Sequence, residues 1–317
     1  MDHTFAGGVD SGGTNTDLGL VRDDGTIVAR RNFSTCDFPA GDLYVGELRK
    51  NIDALVSDNR VKAEGIGIGA PNGNFFTGSV ENASNVSFLN GVPLKGILEE
   101  TFGVPVAVSN DANAAAFGEM VYGGAAGLQD FMTITFGTGV GSGIVVNGRL
   151  VLGKTGSAGE LGHMVLVPEG RRCNCGRKGC LEEYASARGI CKTFSELRGE
   201  SAGYCGRLYG IPDSELTSKL IADAAQQGDP LAIETYCKTG YYTGLALANF
   251  VTFSSPQAIF LMGGPTKAGD VFLKPILKSF DEHLLSLYRG TVEIKLSQLP
   301  SNDVAILGAA ALVKMPV

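Results

Sequence analysis

A chain of 317 residues exceeds what a single hydrophobic core usually fills, about 250–300 residues, and so predicts two compact lobes. Its 44% hydrophobic and 19% charged residues describe an ordinary globular protein, and a net charge of −7 argues against a basic nucleic-acid surface. No apolar run approaches the ~18 residues that span a bilayer. The opening "MDHTFAGGVDSGG" lacks the basic and apolar regions of a signal peptide, so a cytoplasmic address is expected. Cysteines stay reduced there, and an odd total of seven argues against a disulfide framework.

In chain order, "FAGGVD" reads as a strand, "SGGTN" as a turn and "TDLGLV" as a returning strand. "RDDG" supplies hairpin chemistry before "TIVARRNFS". Residues 43–56 carry Leu48, Ile52, Leu55 and Val56 at helical spacing. "AEGIGIGAP" and "VPVAVSN" are buried strands, and the second leads into an alanine-rich helix, "DANAAAFGEMVYGG". The opening pattern then recurs in "FMTITFGTGVGSGIVVNGRLV", about 125 residues later, with an Asn147-Gly148 hairpin. A long helix around 231–251 follows, then the strand "QAIFLMGG", a helix near 270–285, the strand "TVEIKLSQ" and a last helix, "DVAILGAAALV". Two strand, glycine-turn, strand units in an α/β chain predict two similar lobes, with no Pro-rich linker holding them apart.

The 45 glycines are clustered between β-branched runs, as turns and ligand loops are. "DSGGTNT" and "FGTGVGSG" read either as tightly packed hairpins or as phosphate cradles, in which bare backbone N–H groups and Thr hydroxyls meet anionic oxygens. Two loops that both carry Gly-Thr and form a repeat favour phosphate. Neither is a Walker loop, since no Gly-Lys-Ser/Thr follows, and a strand follows each where a dinucleotide fingerprint needs a helix. Asp10, ending the first strand, either holds Mg²⁺ through water or bonds the turn amides. Asp111, where a strand meets a helix N-terminus, reads as an N-cap or as an acid kept ionised by the helix dipole.

"GVDSGGTNTDLGLV", "TFGTGVGSGIVVNG" and "ELGH…CNCGRKGCLE" together resemble the ROK family of sugar kinases and repressors, in the actin, Hsp70 and hexokinase superfamily. The resemblance runs from Gly8 to the terminal "ILGAAAL", and the cysteine segment is its most specific part. It implies an α/β fold of two similar actin-like ATPase (ribonuclease H-like) lobes with an interlobe cleft and a zinc-bound loop. The N-terminal lobe would span 1–112 and the C-terminal lobe 113–302, with the zinc loop at 160–182. A terminal helix, 303–317, would pack back on the first lobe. The implied activity is ATP-dependent phosphorylation of a hexose, glucose to glucose 6-phosphate first, in a homodimer with catalytic Mg²⁺ and structural Zn²⁺. N-acetylmannosamine, N-acetylglucosamine, fructose and allose are alternative acceptors.

By the same resemblance Asp111 is the base that takes the hydroxyl proton. Asn72, Asn85, Asn110, Asp111, Glu160, His163 and Glu182 contact sugar. Asp10, Gly12, Gly13, Thr14, Asn15, Thr16, Gly137, Thr138, Gly139, Gly263 and Gly264 serve the nucleotide and its Mg²⁺. His163, Cys173, Cys175 and Cys180 form a tetrahedral zinc set, H-x9-C-x-C-x4-C, closed to substrate and therefore structural. Glu183 reads as a solvated acid, and Cys36, Cys191, Cys205 and Cys237 as core filler. Asn72 and Asn85 also read as turn residues. Two places depart from the family's pattern: Pro71-Asn72 replaces a Pro-Gly, and Pro265 replaces the third glycine of the adenosine loop. The family's repressors carry a helix-turn-helix ahead of the first phosphate motif, and nine residues before Asp10 leave no room for one. A sugar sensor without turnover is opposed by Asp111 and both Gly-Thr loops.

Overall fold

A computed structural model describes residues 4–201 and 203–315; residues 1–3, 202 and 316–317, which fall in the expected lobes and terminal helix, lie outside the described residues. The first stretch runs β1 (Phe5–Ser11), β2 (Asn15–Arg22), β3 (Ile27–Ser34), α1 (Gly41–Asn59), β4 (Ala63–Gly69), β5 (Gly73–Asn74), β6 (Ser79–Val80), α2 (Leu94–Phe102), β7 (Val106–Ser109) and α3 (Asp111–Tyr122). Next come β8 (Phe131–Phe136), β9 (Val140–Val146), β10 (Arg149–Leu150), α4 (Glu182–Ala185), α5 (Ala187–Glu200), α6 (Ser218–Gln226) and α7 (Pro230–Ser254). The chain closes with β11 (Ala258–Gly263), α8 (Asp270–His283), β12 (Glu293–Leu296) and α9 (Val304–Ala311). The terminal helix is shorter than expected: its α-helical part ends at Ala311 and a 3₁₀ turn, Leu312–Lys314, follows.

The architecture is α/β with mixed sheets. One sheet has the order β3-β2-β1-β4-β7. Its first three strands form an antiparallel meander, and β4 and β7 join parallel to β1. The other sheet has the order β10-β9-β8-β11-β12, with β11 parallel to both β8 and β12. Two five-stranded sheets with the same strand order are what the repeated glycine hairpins encode.

The chain divides into two compact units. One takes the residues up to Gln129, Gly143–Gly159 and Ser297 onward; the other takes Asp130–Ser142 and Glu160–Leu296. A boundary at 112/113 would cut the first turn of α3. That helix is buried along most of its length and packs on α9 and β4 within the first unit, so its buried surface cannot be shared out between two cores.

Helix α9 is apolar on nearly every side, the signature of a buried helix. It lies on β1, β2 and β4 and against α3. Glycines make that approach possible. A Cβ on Gly67 would stand 1.8 Å from the Ala309 carbonyl oxygen, and one on Gly308 would stand 2.6 Å from that of Ala114. In the other unit α7 starts on a Pro230 preceded by Asp229, whose carboxylate accepts from the Leu231 and Ala232 N–H groups at 3.0 and 3.1 Å. No helix among the described residues is long and apolar enough to cross a membrane.

Because both atoms in the Gly67 clash belong to backbone, neither can swing aside. Gly67→Ala should therefore destabilise the protein by about 2 kcal/mol or more in a denaturant titration, the usual scale of overpacking. An unchanged midpoint would mean that α9 does not sit this closely on the sheet.

Candidate active site

Strand register brings the first group of residues together. Asp10 on β1 stands opposite Gly69 on β4, which stands opposite Ser109 on β7. The three residues form one row at the carboxyl edge of parallel strands, where ligands of open α/β sheets bind. Each strand then leads into a different piece of chemistry: the first glycine turn, the Pro71-Asn72 loop, and the start of α3.

The first turn closes with the Gly12 N–H donating to the Asn15 carbonyl at 3.0 Å. Gly12, Gly13, Thr14 and Asn15 all reach the surface. Thr16 does not. Alternation along β2 turns it inward, fully buried, with its hydroxyl 2.9 Å from that of Thr35 and 3.0 Å from that of Tyr44. Its side chain therefore braces the turn from beneath and has no free face for a nucleotide. Ser11, also buried, adds a 2.7 Å bond to the Tyr44 hydroxyl.

At α3 the cap is Asn110, whose Oδ1 accepts from the Asn113 N–H at 2.7 Å. The cap is therefore not Asp111, whose raised proton affinity also opposes the expectation that the helix dipole keeps it ionised. Asp111 occupies the first helical position, and one carboxylate oxygen accepts from the Ala112 N–H at 2.8 Å. Solvent can reach Asp111, yet the protein around it strips enough hydration to push its pKa above the ordinary 3.8, against the opposing pull of the Ala112 N–H. Asp10 also rises, to about 7, through burial first and then through the negative charges of Asp111 and of Asp17, its cross-strand partner. Like charges crowded at the end of one sheet suit a divalent cation.

Asn72 and Asn85 are both exposed in the loop after β4. Asn72 has φ of +53°, a region that favours glycine and that asparagine tolerates better than other residues. That explains how Pro-Asn replaces Pro-Gly here. Its amide donates to the Asn82 carbonyl at 3.1 Å. Asn85 lies against the first glycine turn, since a Cβ on Gly13 would meet its Cβ at 3.1 Å. Asn74, not singled out from the sequence, ties this loop down: its amide donates to Glu81 at 2.9 Å and to the Thr155 carbonyl at 2.8 Å.

In the second unit, register sets Phe136 of β8 opposite Gly263 of β11, so the second glycine turn and the Gly263-Gly264 loop leave the sheet side by side. Gly137 and Thr138 are exposed, and the Gly137 N–H closes the turn on the Gly139 carbonyl at 2.9 Å. Gly263, with φ of +109°, passes so near Phe136 that a Cβ would stand 2.0 Å from its carbonyl oxygen. Pro265 is absorbed without distortion: it begins a 3₁₀ turn, Gly264–Ala268, a place where a missing N–H costs nothing. Glu160 is exposed, three residues before His163. Glu182 is largely enclosed, and one of its oxygens accepts from the Val140 N–H at 3.0 Å, directly beside the second glycine turn.

His163, Cys173, Cys175 and Cys180 offer ligand atoms that all lie within 4.8 Å of one another. Cys173 Sγ is 3.6 Å from His163 Nδ1, and Cys175 Sγ is 3.6 Å from Cys180 Sγ. Tetrahedral zinc with bonds of ~2.0–2.3 Å sets neighbouring ligand atoms about 3.6–3.8 Å apart, so this set fits the ion. Arg171 pins the same loop to α5: it donates to the Glu183 carbonyl at 2.6 Å and to Glu196 at 2.9 Å, and its guanidinium lies 4.6 Å from the centre of the Tyr184 ring.

Two expectations are corrected. Glu183 is no solvated acid but fully buried, paired with Arg188 at 2.8 Å and with Lys192. Cys36, Cys205 and Cys237 are exposed and Cys191 half-buried, so these four thiols are not core filler; short side chains at surface positions simply leave sulfur in view.

The ROK family profile matches residues 6–315. The chain belongs to the ROK family. Among its relatives, a glucokinase of Halalkalibacterium halodurans is 38% identical over 312 residues, covering 97% of this chain and 94% of the relative. The crystal structure of a Streptomyces griseus ROK family glucokinase in complex with glucose and AMPPNP superposes with a TM-score of 0.80 at 33% identity, covering 99% of each chain. An N-acetylglucosamine repressor of Escherichia coli is 34% identical over 217 residues, 68% of this ROK chain and 52% of the repressor.

The raised pKa of Asp10 makes the folded protein hold that proton more tightly than the unfolded chain does. Its contribution to stability therefore falls as pH rises from about 3.8 through about 7. Asp10→Asn should raise the melting temperature of the ligand-free protein by several degrees at pH 8 and by less at pH 5. A substitution that lowers it at pH 8 would contradict the crowding of charge described above.

Proposed function

We propose that this ROK protein is an ATP-dependent hexose kinase that phosphorylates the 6-hydroxyl of glucose. Support comes from full-length similarity to glucokinases and to a glucokinase structure that holds glucose and AMPPNP. The observation that carries the chemistry is Asp111: an acid at the first position of α3, freed from capping by Asn110, with a raised pKa. Phosphoryl transfer needs positioned reactants, neutralised phosphate charge and a group to take the hydroxyl proton, more than covalent help. A carboxylate with raised proton affinity is a better base than an ordinary aspartate.

In this reading the loops of Gly12, Gly13, Thr14 and Asn15 and of Gly137, Thr138 and Gly139 cradle phosphate, the Gly12 and Gly137 amides closing each turn, and Gly263 and Gly264 lie along the adenosine. Asp10 would hold Mg²⁺ through water, and that ion would offset charge on the phosphates. Asn72, Asn85, Asn110, Glu160, His163 and Glu182 would meet the other sugar hydroxyls, carboxylates suiting this task because each accepts two donors. The Cys173, Cys175, Cys180 and His163 set would hold a structural zinc. Two actin-like lobes, a homodimer and a cytoplasmic address complete the proposal; seven free thiols are in keeping with a reducing compartment. The partial similarity to a repressor favours a second reading, a sugar sensor without turnover.

Asp111→Ala should lower turnover by at least a thousandfold while glucose affinity stays within tenfold, in a coupled ADP-release assay over a panel of hexoses and N-acetylhexosamines. Wild-type kcat/KM should fall at acid pH with a midpoint above the ordinary carboxylate value. Retained turnover in the variant would remove Asp111 as the base, and binding without ADP release across the panel would select the sensor. Elemental analysis should find one zinc per chain, and stripping it with a chelator should lower the melting temperature. A metal-free protein that is equally stable would remove the structural zinc.

A further inference from the structure

The second glycine turn is gripped by the segment that follows the last cysteine. Glu182 Oε2 accepts from the Val140 N–H at 3.0 Å, and the Ala187 N–H donates to the Gly137 carbonyl at 2.9 Å. The fit around Glu182 is close: a Cβ on Gly139 would stand 2.3 Å from that same Oε2. The other oxygen, Oε1, faces Arg188 at 3.5 Å and Cys173 Sγ at 3.9 Å. Arg188 is itself held by fully buried Glu183 at 2.8 Å, while its buried Nε has no partner among the described residues. Among the described residues the guanidinium is thus aimed by two acids, and Lys192 pairs with Glu183.

We propose that Glu182 is the link through which acceptor sugar and nucleotide sense each other, with Arg188 as the positioning residue that sets it. The inference rests on the kinase reading, in which Glu182 also accepts from a sugar hydroxyl and the second glycine turn meets phosphate. One carboxylate then touches both ligands' binding elements. A sugar hydroxyl that fixes Glu182 also fixes the Val140 N–H, and with it the turn whose bare amides receive the nucleotide. Thermodynamic linkage makes the effect mutual: sugar tightens nucleotide by the factor by which nucleotide tightens sugar. Arg188 matters because it restrains the oxygen that Val140 leaves free, so that the carboxylate plane is already set when sugar arrives.

Calorimetric titration tests this by measuring the affinity for AMPPNP with and without saturating glucose. In the wild type glucose should tighten AMPPNP about tenfold. Arg188→Ala should reduce that factor to twofold or less, and Arg188→Lys should restore part of it. Lys192→Ala, which disturbs only the Glu183 side, should leave the factor intact. Should Arg188→Ala fail to fold because Glu183 loses its partner, the double variant R188Q/E183Q removes both charges together and should show the same loss. A wild-type factor below twofold, full coupling in Arg188→Ala, or equal loss in Lys192→Ala overturns the proposal. Wild-type protein that binds neither AMPPNP nor glucose would instead overturn the kinase reading on which it rests.

Discussion

Negative charge gathered at one end of the sheet is the constraint on which the rest of the first unit depends. Asp10 lies near the end of β1 and Asp111 follows β7, with β4 between those two parallel strands, and Asp17 stands across from Asp10 in the antiparallel direction. Burial raises the proton affinity of both, and the charges of Asp111 and Asp17 raise that of Asp10 as well. A sheet that only had to be stable would place Asn or Ser at such positions. Keeping acids there makes sense where something positive arrives to relieve them, and where one of them must accept a proton once it does. Raised pKa values also mark functional sites more often than they mark scaffolds.

The fold meets this constraint by letting the acids share nothing but their surroundings. Asn110 takes the helix cap, which would otherwise engage Asp111 on both oxygens. Thr16, Thr35, Ser11 and Tyr44 form a buried hydroxyl cluster beneath the first turn, which supports the turn's shape alongside the bond from the Gly12 N–H to the Asn15 carbonyl. Behind the sheet, α9 presses on β1 and β4 through glycine contacts that leave no slack. Rigid elements below and bare backbone above are what an anion site needs, because donors that are already aligned pay no reorganisation on binding.

Much of this was legible in the sequence, and the reasons differ from residue to residue. The two hairpins announced themselves because glycine, β-branched alternation and an Asn-Gly turn coincide, and local chemistry of that kind survives any tertiary context. The cysteine cluster was equally plain, since few structures need three thiols and an imidazole at such spacing. The motif as a string groups Thr16 with its neighbours, while strand alternation from exposed Asn15 to buried Thr16 separates its side chain from theirs. The cap at Asn110 sat one residue ahead of the acid that drew attention. Glu183 looked solvated because its partners are five and nine residues on, across the break at Ser186 between α4 and α5, where no single helical period would pair them. Helices α2, α5 and α6 have no place in the expected elements although their buried residues recur at helical spacing, Leu94 and Leu98, then Ile190, Phe194 and Leu197, then Ile221, Ala224 and Ala225.

The segment from Glu160 to Arg188 concentrates what the second unit contributes: the Cys and His ligand set, two acids suited to hydroxyl groups, and a direct hold on the second glycine turn. A stretch so rich in glycine and so poor in regular structure before α4 would lose considerable chain entropy on ordering. Apolar burial offsets little of that cost, because most residues between Arg172 and Lys178 are exposed. Arg171 and backbone bonds within the segment hold part of it, and an ion bound by the His and Cys set would fix the rest within bond lengths rather than within the looser tolerance of packing. Cys180 lies two residues before Glu182, and Cys173 Sγ is within 3.9 Å of its carboxylate. The ligand set and the acid that grips Val140 are therefore neighbours, so an ion that ordered the thiols would also restrict the carboxylate beside the turn.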